Sequence, residues 1–268
     1  IDVQHDRLAI IIRAFGRNEE SWLMLWREIA GDTADKNDPV WRELDDILFS
    51  GFQHESFANL HLSAVTIDSS DGSTNHSVYH WVRTRSTKHR RIVIMAGKGD
   101  SHDNGKREIF RLPQKLDHNN ARKATKADKH GVQVYMVGTH KAKDLISKRL
   151  NGTSAFMHSY AEARVDYWEQ VTAEIKAPSR NLRGARIWQV KSGRRNEALD
   201  CEVYTLHAAM AVKIHTKKPK DWDTLEQRLS QIDLFAPQQQ DPEELNKPAK
   251  PKRSSKRGSR GSGFISGH

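Results

Sequence analysis

Two apolar segments near the start of the chain predict a pair of β-strands. Residues 8–15 are rich in Ile, and residues 21–29 contain Trp, Leu and Ile. The Gly-Arg-Asn sequence at 16–18 separates them with residues that favour a turn. We therefore predict two long strands around a turn, with residues 1–4 forming or completing the first strand.

The remaining pattern alternates between strand-like and helix-like segments. Leu199, Val203, Leu206 and Met210 recur at helical spacing and mark the clearest helix. The predicted helices are 40–49, 73–83, 141–150, 165–175, 196–214 and 221–235, and the further strands are 60–67, 92–96, 132–137 and 187–190. Residues 100–131 are polar and rich in His and Lys, and are predicted to form a long loop or β-excursion. This order predicts an α/β fold with a mixed sheet flanked by helices.

Composition narrows the class of protein. A chain of 268 residues with 36% apolar and 29% charged residues can bury a core, which excludes wholesale disorder and collagen-like repeats. The single Cys201 cannot form an internal disulfide, which fits a reducing, intracellular compartment. No apolar run approaches the roughly 18 residues of a membrane span, so we expect no membrane partner. Because the chain starts at Ile1 without a signal peptide, we expect it to be a piece of a longer protein.

Positive charge is concentrated at the C-terminal end. Seven of the ten excess positive charges lie between Lys247 and the C-terminus, where no acidic residue occurs. Such a composition cannot bury enough apolar surface to fold, so we predict a domain at 1–235 and a basic, disordered tail at 236–268. A flexible polycation adds salt-sensitive affinity for nucleic acids, although the tail could also serve only to keep the protein in solution.

Three acidic residues occupy positions where separate elements could meet. Asp2 lies in the first strand, Asp68 ends a central strand, and Asp200 lies in the first turns of the helix predicted at 196–214. Like charges that converge repel each other unless a cation lies between them, and carboxylates select Mg²⁺ or Mn²⁺. Two such ions can activate water and stabilise the leaving oxygen of a phosphodiester. Each aspartate could instead be an ordinary turn or cap residue.

Other polar residues are candidates for supporting roles. Asp71 and Glu197 compete for the metal-ligand role, with Glu197 also suited to orienting a ligand. Lys98, between two glycines, could neutralise a phosphate or be an exposed turn residue. The histidines show no zinc-binding spacing. Candidate contacts to DNA phosphates, which could equally be solvated surface charge, are Lys106, Arg107, Arg122, Lys123 and Lys126.

Several short segments along the chain together suggest a known family. They are 1–8 (IDVQHDRL), 15–17 (FGR), 20–22 (ESW), 66–69 (TIDS), 78–81 (VYHW), 97–99 (GKG), 138–139 (GT), 143–144 (KD), 170–174 (QVTAE) and 196–201 (NEALDC), with Tyr204. In this order they resemble the nuclease domain of lambda-type (GpA family) phage terminase large subunits, and the similarity extends from residue 1 to about residue 213. No single motif is decisive, but their number in sequence makes coincidence a poor explanation.

This resemblance implies an RNase H-like fold and a metal-dependent endonuclease that cuts concatemeric double-stranded viral DNA during genome packaging. It assigns Asp2, Asp68 and Asp200 as the acids that hold two Mg²⁺ or Mn²⁺ ions. An ATPase motor precedes the nuclease in such proteins, and its phosphate-binding loop pattern does not occur in this sequence. The chain departs from the family where Ser70-Asp71 replaces a common glycine.

The resemblance also implies partners and a location. These are double-stranded DNA, a small terminase subunit, a portal protein and further copies of the chain in the full motor, within the cytoplasm of an infected bacterial host. Two alternatives stay open. The chain could be a DNA-gripping and portal-docking module with latent or lost cleavage, or another RNase H-like nuclease such as a resolvase.

Overall fold

A computed structural model describes residues 1–99, 105–113, 125–152, 154–179 and 184–233. In these ranges the strands are Asp2–Val3 (β1), Arg7–Phe15 (β2), Ser21–Ala30 (β3), Phe52–Gln53 (β4), Asn59–Leu60 (β5), Ala64–Asp68 (β6), Val93–Gly99 (β7), Val134–Val137 (β8), Met157–His158 (β9), Glu174–Pro178 (β10) and Arg186–Val190 (β11). The α-helices are Val40–Phe49 (α1), Asn75–Lys88 (α2), Lys126–His130 (α3), Thr139–Asn151 (α4), Asp166–Val171 (α5), Glu197–Ala211 (α6) and Pro219–Asp233 (α7).

The central strands form a mixed sheet. β1, β2 and β3 pair antiparallel, β9 joins β3 in parallel, and β6, β7 and β8 are parallel to one another. The backbone N of Ile1 donates to Thr66 O at 2.9 Å, and Asp68 N–H donates to Ile1 O at 2.9 Å. These two bonds follow the pattern of a parallel pair, so β1 lies beside β6 and joins the two sets of strands. The predicted α/β fold with a mixed sheet is confirmed.

Alternate side chains of β2 enter cores on opposite faces of the sheet, as the two-residue period of a strand requires. Leu8, Ile10 and Ile12 pack with apolar residues of α1 and α2. Ala9 and Ile11 pack with α5 and the start of α6. The sheet is therefore covered by helices on both faces, and α6 lies directly over β1, β2 and β6.

Two sequence predictions about local structure are wrong. The helix predicted at 165–175 ends at Val171, and Glu174–Pro178 is instead a strand that pairs antiparallel with Arg186–Val190. The strand predicted at 60–67 is divided, because Leu60 pairs back with Phe52 in a short hairpin while Ala64–Asp68 pairs with β7. In both cases pairing with a neighbouring strand decides the structure, and the propensity of the segment by itself does not predict that pairing.

The helix predicted at 40–49 has the predicted ends, and the other predicted elements are present with shifted ends. The segment predicted as a loop or β-excursion at 100–131 includes the helix Lys126–His130. The helix predicted at 73–83 covers Asn75–Lys88, and the helix predicted at 196–214 covers Glu197–Ala211. No helix in the parts of the chain that are described is long and apolar enough to cross a membrane. The basic tail predicted at 236–268 lies outside the described residues.

Candidate active site

The three aspartates predicted to meet come from three neighbouring elements. Asp68 is the last residue of β6, and β1, which carries Asp2, lies beside that strand. Asp200 lies in the first turn of α6, which packs over both strands. The charges of Asp68 and Asp200 both act on the carboxyl group of Asp2, so the fold brings the three side chains into one electrostatic cluster.

Asp2 has a strongly raised pKa. It is buried, and burial, followed by the charges of Asp200 and Asp68, raises its pKa to about 7. Its Oδ2 accepts a hydrogen bond from Gln4 Nε2 at 2.7 Å, which opposes that rise. Without a cation, the cluster therefore cannot be fully ionised near neutral pH.

Asp68 is held at the strand end by three donors. Its Oδ1 accepts from the Tyr204 hydroxyl, from Ser70 Oγ at 2.7 Å and from Ser70 N–H at 3.2 Å. Burial raises the pKa of Asp68, while these bonds oppose that effect. Gly97, opposite Asp68 in β7, allows Tyr204 to approach, because a Cβ there would lie 2.7 Å from Thr66 Cγ2 and 3.1 Å from Tyr204 Cε1.

Asp200 is held by a lysine and an asparagine. Lys143 Nζ lies 2.8 Å from Asp200 Oδ1, and Asn196 Nδ2 donates to Asp200 Oδ2 at 2.8 Å. The same two side chains contact Glu174, a second buried acid, at 2.6 Å and 2.8 Å. Burial raises the pKa of Asp200, and the charge of Lys143 opposes the rise.

Sequence reasoning did not predict a role for Lys143 or Glu174. Each lies in a segment that carried the family resemblance, at 143–144 and 170–174, and that was the available signal. Glu174 fell inside a segment predicted as helix, whereas it begins β10. The strand geometry directs its carboxylate toward α4 and α6, where Lys143 and Asn196 reach it.

The chemistry of these donors fits a hard divalent cation, because clustered, buried carboxylate oxygens are the ligands that Mg²⁺ and Mn²⁺ prefer. The side chains are not, however, arranged as a complete set of metal ligands. In the described portion of the chain, no group of three or more His, Cys, Asp or Glu residues is placed to hold a metal ion. Oxygens of Asp2, Asp68 and Asp200 instead accept hydrogen bonds from side chains of the protein.

Comparison with known proteins identifies the family. Residues 1–222 match the family model described as "Terminase large subunit gpA, endonuclease domain". The chain belongs to this family. It is also 28% identical, over 225 residues, to the terminase large subunit of Escherichia phage lambda, a match that covers 80% of this chain and 32% of that protein. The chain thus spans about a third of that relative's length. No solved structure matches it.

The candidate supporting residues of this terminase endonuclease domain lie in different surroundings. Asp71 accepts bonds from Ser73 and forms an exposed ion pair with His5 at 2.9 Å. The buried Glu197 carboxylate accepts from Arg7 Nη2 at 2.5 Å and from Arg195 Nε at 3.1 Å. These arginines, and not the three aspartates, are the charged partners of Glu197.

Lys98 and Lys126 lie near the loop that follows Asp68. Lys98 is exposed in β7, immediately after the residue that pairs with Asp68. Lys126 Nζ donates to Gly72 O at 2.9 Å, which holds the start of α3 against the same loop. Lys106 is exposed and Arg107 is half-buried. The other two candidate DNA contacts, Arg122 and Lys123, lie outside the described residues.

Proposed function

We propose that this terminase endonuclease domain hydrolyses both strands of concatemeric phage DNA during genome packaging, using two Mg²⁺ or Mn²⁺ ions bound by Asp2, Asp68 and Asp200. The observation that carries the proposal is that three aspartates from distant parts of the chain form one electrostatic cluster. Asp2 and Asp68 are buried, the Asp200 side chain is 32% exposed, and the charges of Asp200 and Asp68 contribute to raising the pKa of Asp2 to about 7. When bound, such ions lower the pKa of a water molecule and stabilise the leaving oxygen of the phosphodiester.

The protein's own contribution is to position the acids. Tyr204 and Ser70 fix the rotamer of Asp68, Gln4 restrains Asp2, and Lys143 with Asn196 orients Asp200. Preorganised ligands avoid the entropic cost of ordering the site during each reaction. The mixed sheet flanked by helices, with acids at a strand end and on a covering helix, is compatible with an RNase H-like fold.

The proposed partners follow from the same assignment. We expect double-stranded DNA to lie over the strand-end loop, where Lys98 and Lys126 would contact phosphates, with Lys106 and Arg107 as further candidates. A small terminase subunit, a portal protein and further copies of the complete large subunit are proposed as assembly partners in the cytoplasm of the infected bacterium.

The substitution Asp68→Asn tests the proposal. We expect it to reduce Mg²⁺- or Mn²⁺-dependent plasmid cleavage by at least about 100-fold, since a neutral amide is a poor ligand for these ions. Circular dichroism and DNA binding should stay close to those of the wild type. Asp46→Asn, on the exposed side of α1, is the matched control and should cut normally. Full cutting by Asp68→Asn would reject the assignment.

A second candidate is a DNA-gripping and docking module with latent cleavage. Two observations favour it. Among the described residues, no group of three or more His, Cys, Asp or Glu side chains is arranged to hold a metal ion, and oxygens of Asp68 and Asp200 already accept hydrogen bonds from the protein. Under this alternative the chain binds DNA but does not nick plasmid at any concentration of Mg²⁺ or Mn²⁺. Preference for branched over linear duplex would instead indicate a resolvase.

A further inference from the structure

Lys143 is a buried lysine between two carboxylates. Its side chain is 10% exposed, and Nζ lies 2.6 Å from Glu174 Oε1 and 2.8 Å from Asp200 Oδ1. Burying an ammonium group is costly unless charged partners surround it. With a carboxylate on either side, the ammonium group of Lys143 is therefore a positive charge inside the acidic cluster.

Asn196 joins the same two carboxylates by a second route. Its Nδ2 donates to Glu174 Oε1 and to Asp200 Oδ2, at 2.8 Å in each case. Glu174 and Asp200 are thus bridged by one cationic and one neutral donor. The three elements β10, α4 and α6 meet at this bridge, which fixes the direction of the Asp200 carboxylate.

We propose that Lys143 is a positioning residue that acts as a built-in counter-cation for this cluster. It holds Glu174 and Asp200 in place when no divalent ion is bound, and its charge weakens the attraction of the cluster for such an ion. The inference rests on the proposed function, because it concerns the ions assigned there to Asp2, Asp68 and Asp200. It adds Glu174 as a fourth acid whose charge bears on ion binding.

Two substitutions should move ion binding in opposite directions. Lys143→Met keeps the aliphatic stem and removes the charge, and should tighten Mn²⁺ binding roughly tenfold, because a positive charge 2.8 Å from the proposed ligand Asp200 is lost. Glu174→Gln removes a negative charge and should weaken Mn²⁺ binding by a similar factor. The double variant should return toward the wild type.

The measurements are Mn²⁺ affinity by isothermal titration calorimetry, the melting temperature with and without Mn²⁺, and the kcat and KM of plasmid cleavage. Without ions, Lys143→Met should melt at a lower temperature than the wild type and gain more from added Mn²⁺. Its kcat should fall with KM nearly unchanged, because Asp200 loses its anchor. Lys141→Met is the control and should match the wild type. Lys141 lies on the same helix as Lys143, but its ion pair is with Glu108 at the surface.

Equal Mn²⁺ affinity and equal Mn²⁺-induced gains in melting temperature for the wild type and Lys143→Met would overturn the inference. If Lys143→Met does not fold even with Mn²⁺, Glu174→Gln decides: weaker binding supports the inference and unchanged binding overturns it. A wild type that neither binds Mn²⁺ nor cuts overturns the proposed function itself. If the wild type binds Mn²⁺ and cuts plasmid, and Lys143→Met gives the same Mn²⁺ affinity, melting temperatures and cleavage kinetics, only the positioning role is overturned.

Discussion

The buried ion pair between Arg13 and Glu202 should decide whether α6 stays docked on the sheet. A register shift between Ile12 and Arg13 in β2 marks a bulge, and the Arg13 side chain that follows it is 1% exposed. Its Nη2 lies 2.6 Å from Oε1 of Glu202, whose side chain is 0% exposed. Arg13 also donates to the Tyr167 hydroxyl at 2.8 Å and thereby reaches α5.

The loss of stability expected when this pair is broken follows from the burial of both side chains. Arg13→Met would leave the Glu202 carboxylate charged and without its counter-ion in a site closed to water. Removing one partner of a buried pair costs about 3–5 kcal/mol, a large part of the stability of a domain. Replacing both partners with Met removes both charges together, and the double variant should therefore lose less than Arg13→Met alone.

Urea unfolding followed by tryptophan fluorescence measures this. We expect Arg13→Met to lower the free energy of unfolding by about 4 kcal/mol with an unchanged slope against urea. Arg27→Met, which breaks the exposed pair of Arg27 with Glu43, should cost less than about 1 kcal/mol. The reasoning is refuted if Arg13→Met is as mild as Arg27→Met, or if the double variant is less stable than the single one.

Two further predictions concern the site and its surroundings. Gly97→Ala would force a Cβ to within 2.7 Å of Thr66 Cγ2, so it should displace Tyr204 from Asp68 and reduce plasmid cleavage about tenfold or more, with a stability loss of about 1–3 kcal/mol; normal cleavage would contradict this. Burial lowers the pKa of His207 to about 4, so the unfolded chain binds the extra proton as the pH falls below about 6.5. The contribution of His207 to stability should then decrease by up to about 3 kcal/mol between pH 6.5 and 4. The raised pKa of Asp2 acts in the opposite direction over the same range, so the measurement is a difference: in urea titrations, the stability of the wild type relative to His207→Gln should fall by up to about 3 kcal/mol between these pH values.

The places of Asp68 and Asp200 in the fold could be predicted because each has a local signature. Asp68 ends an apolar strand, and Asp200 lies beside the apolar stripe of a clear helix. Both positions can therefore be predicted from the sequence pattern without the tertiary structure. Asp71, equally acidic and only three residues from Asp68, forms its bonds with Ser73 and His5 instead. A difference of side-chain direction within one loop is not encoded in hydrophobic periodicity.

The contacts of Lys143 with Glu174 and Asp200 could not be predicted, for a different reason. Lys143, Glu174 and Asp200 lie on three elements whose contact depends on β10 pairing with β11 and on α4 packing against α6. The segment around Glu174 has a helix-like pattern, and a strand forms there because β11 is available as a pairing partner. The pattern of the segment alone therefore does not reveal that Glu174 meets Lys143.

One helix connects all of these observations. Polar side chains on α6 are paired, at successive positions, with different elements of the fold: Glu197 with Arg7 and Glu202 with Arg13 on β2, Asp200 with Lys143 on α4, and Tyr204 with Asp68 on β6. A rotation or a one-residue shift of α6 would break these pairs together, and the fully buried pair of Arg13 with Glu202 alone would cost several kcal/mol if one partner were left unpaired. The helix therefore has one allowed register, and it is the register that brings Asp200 to the strand ends carrying Asp2 and Asp68.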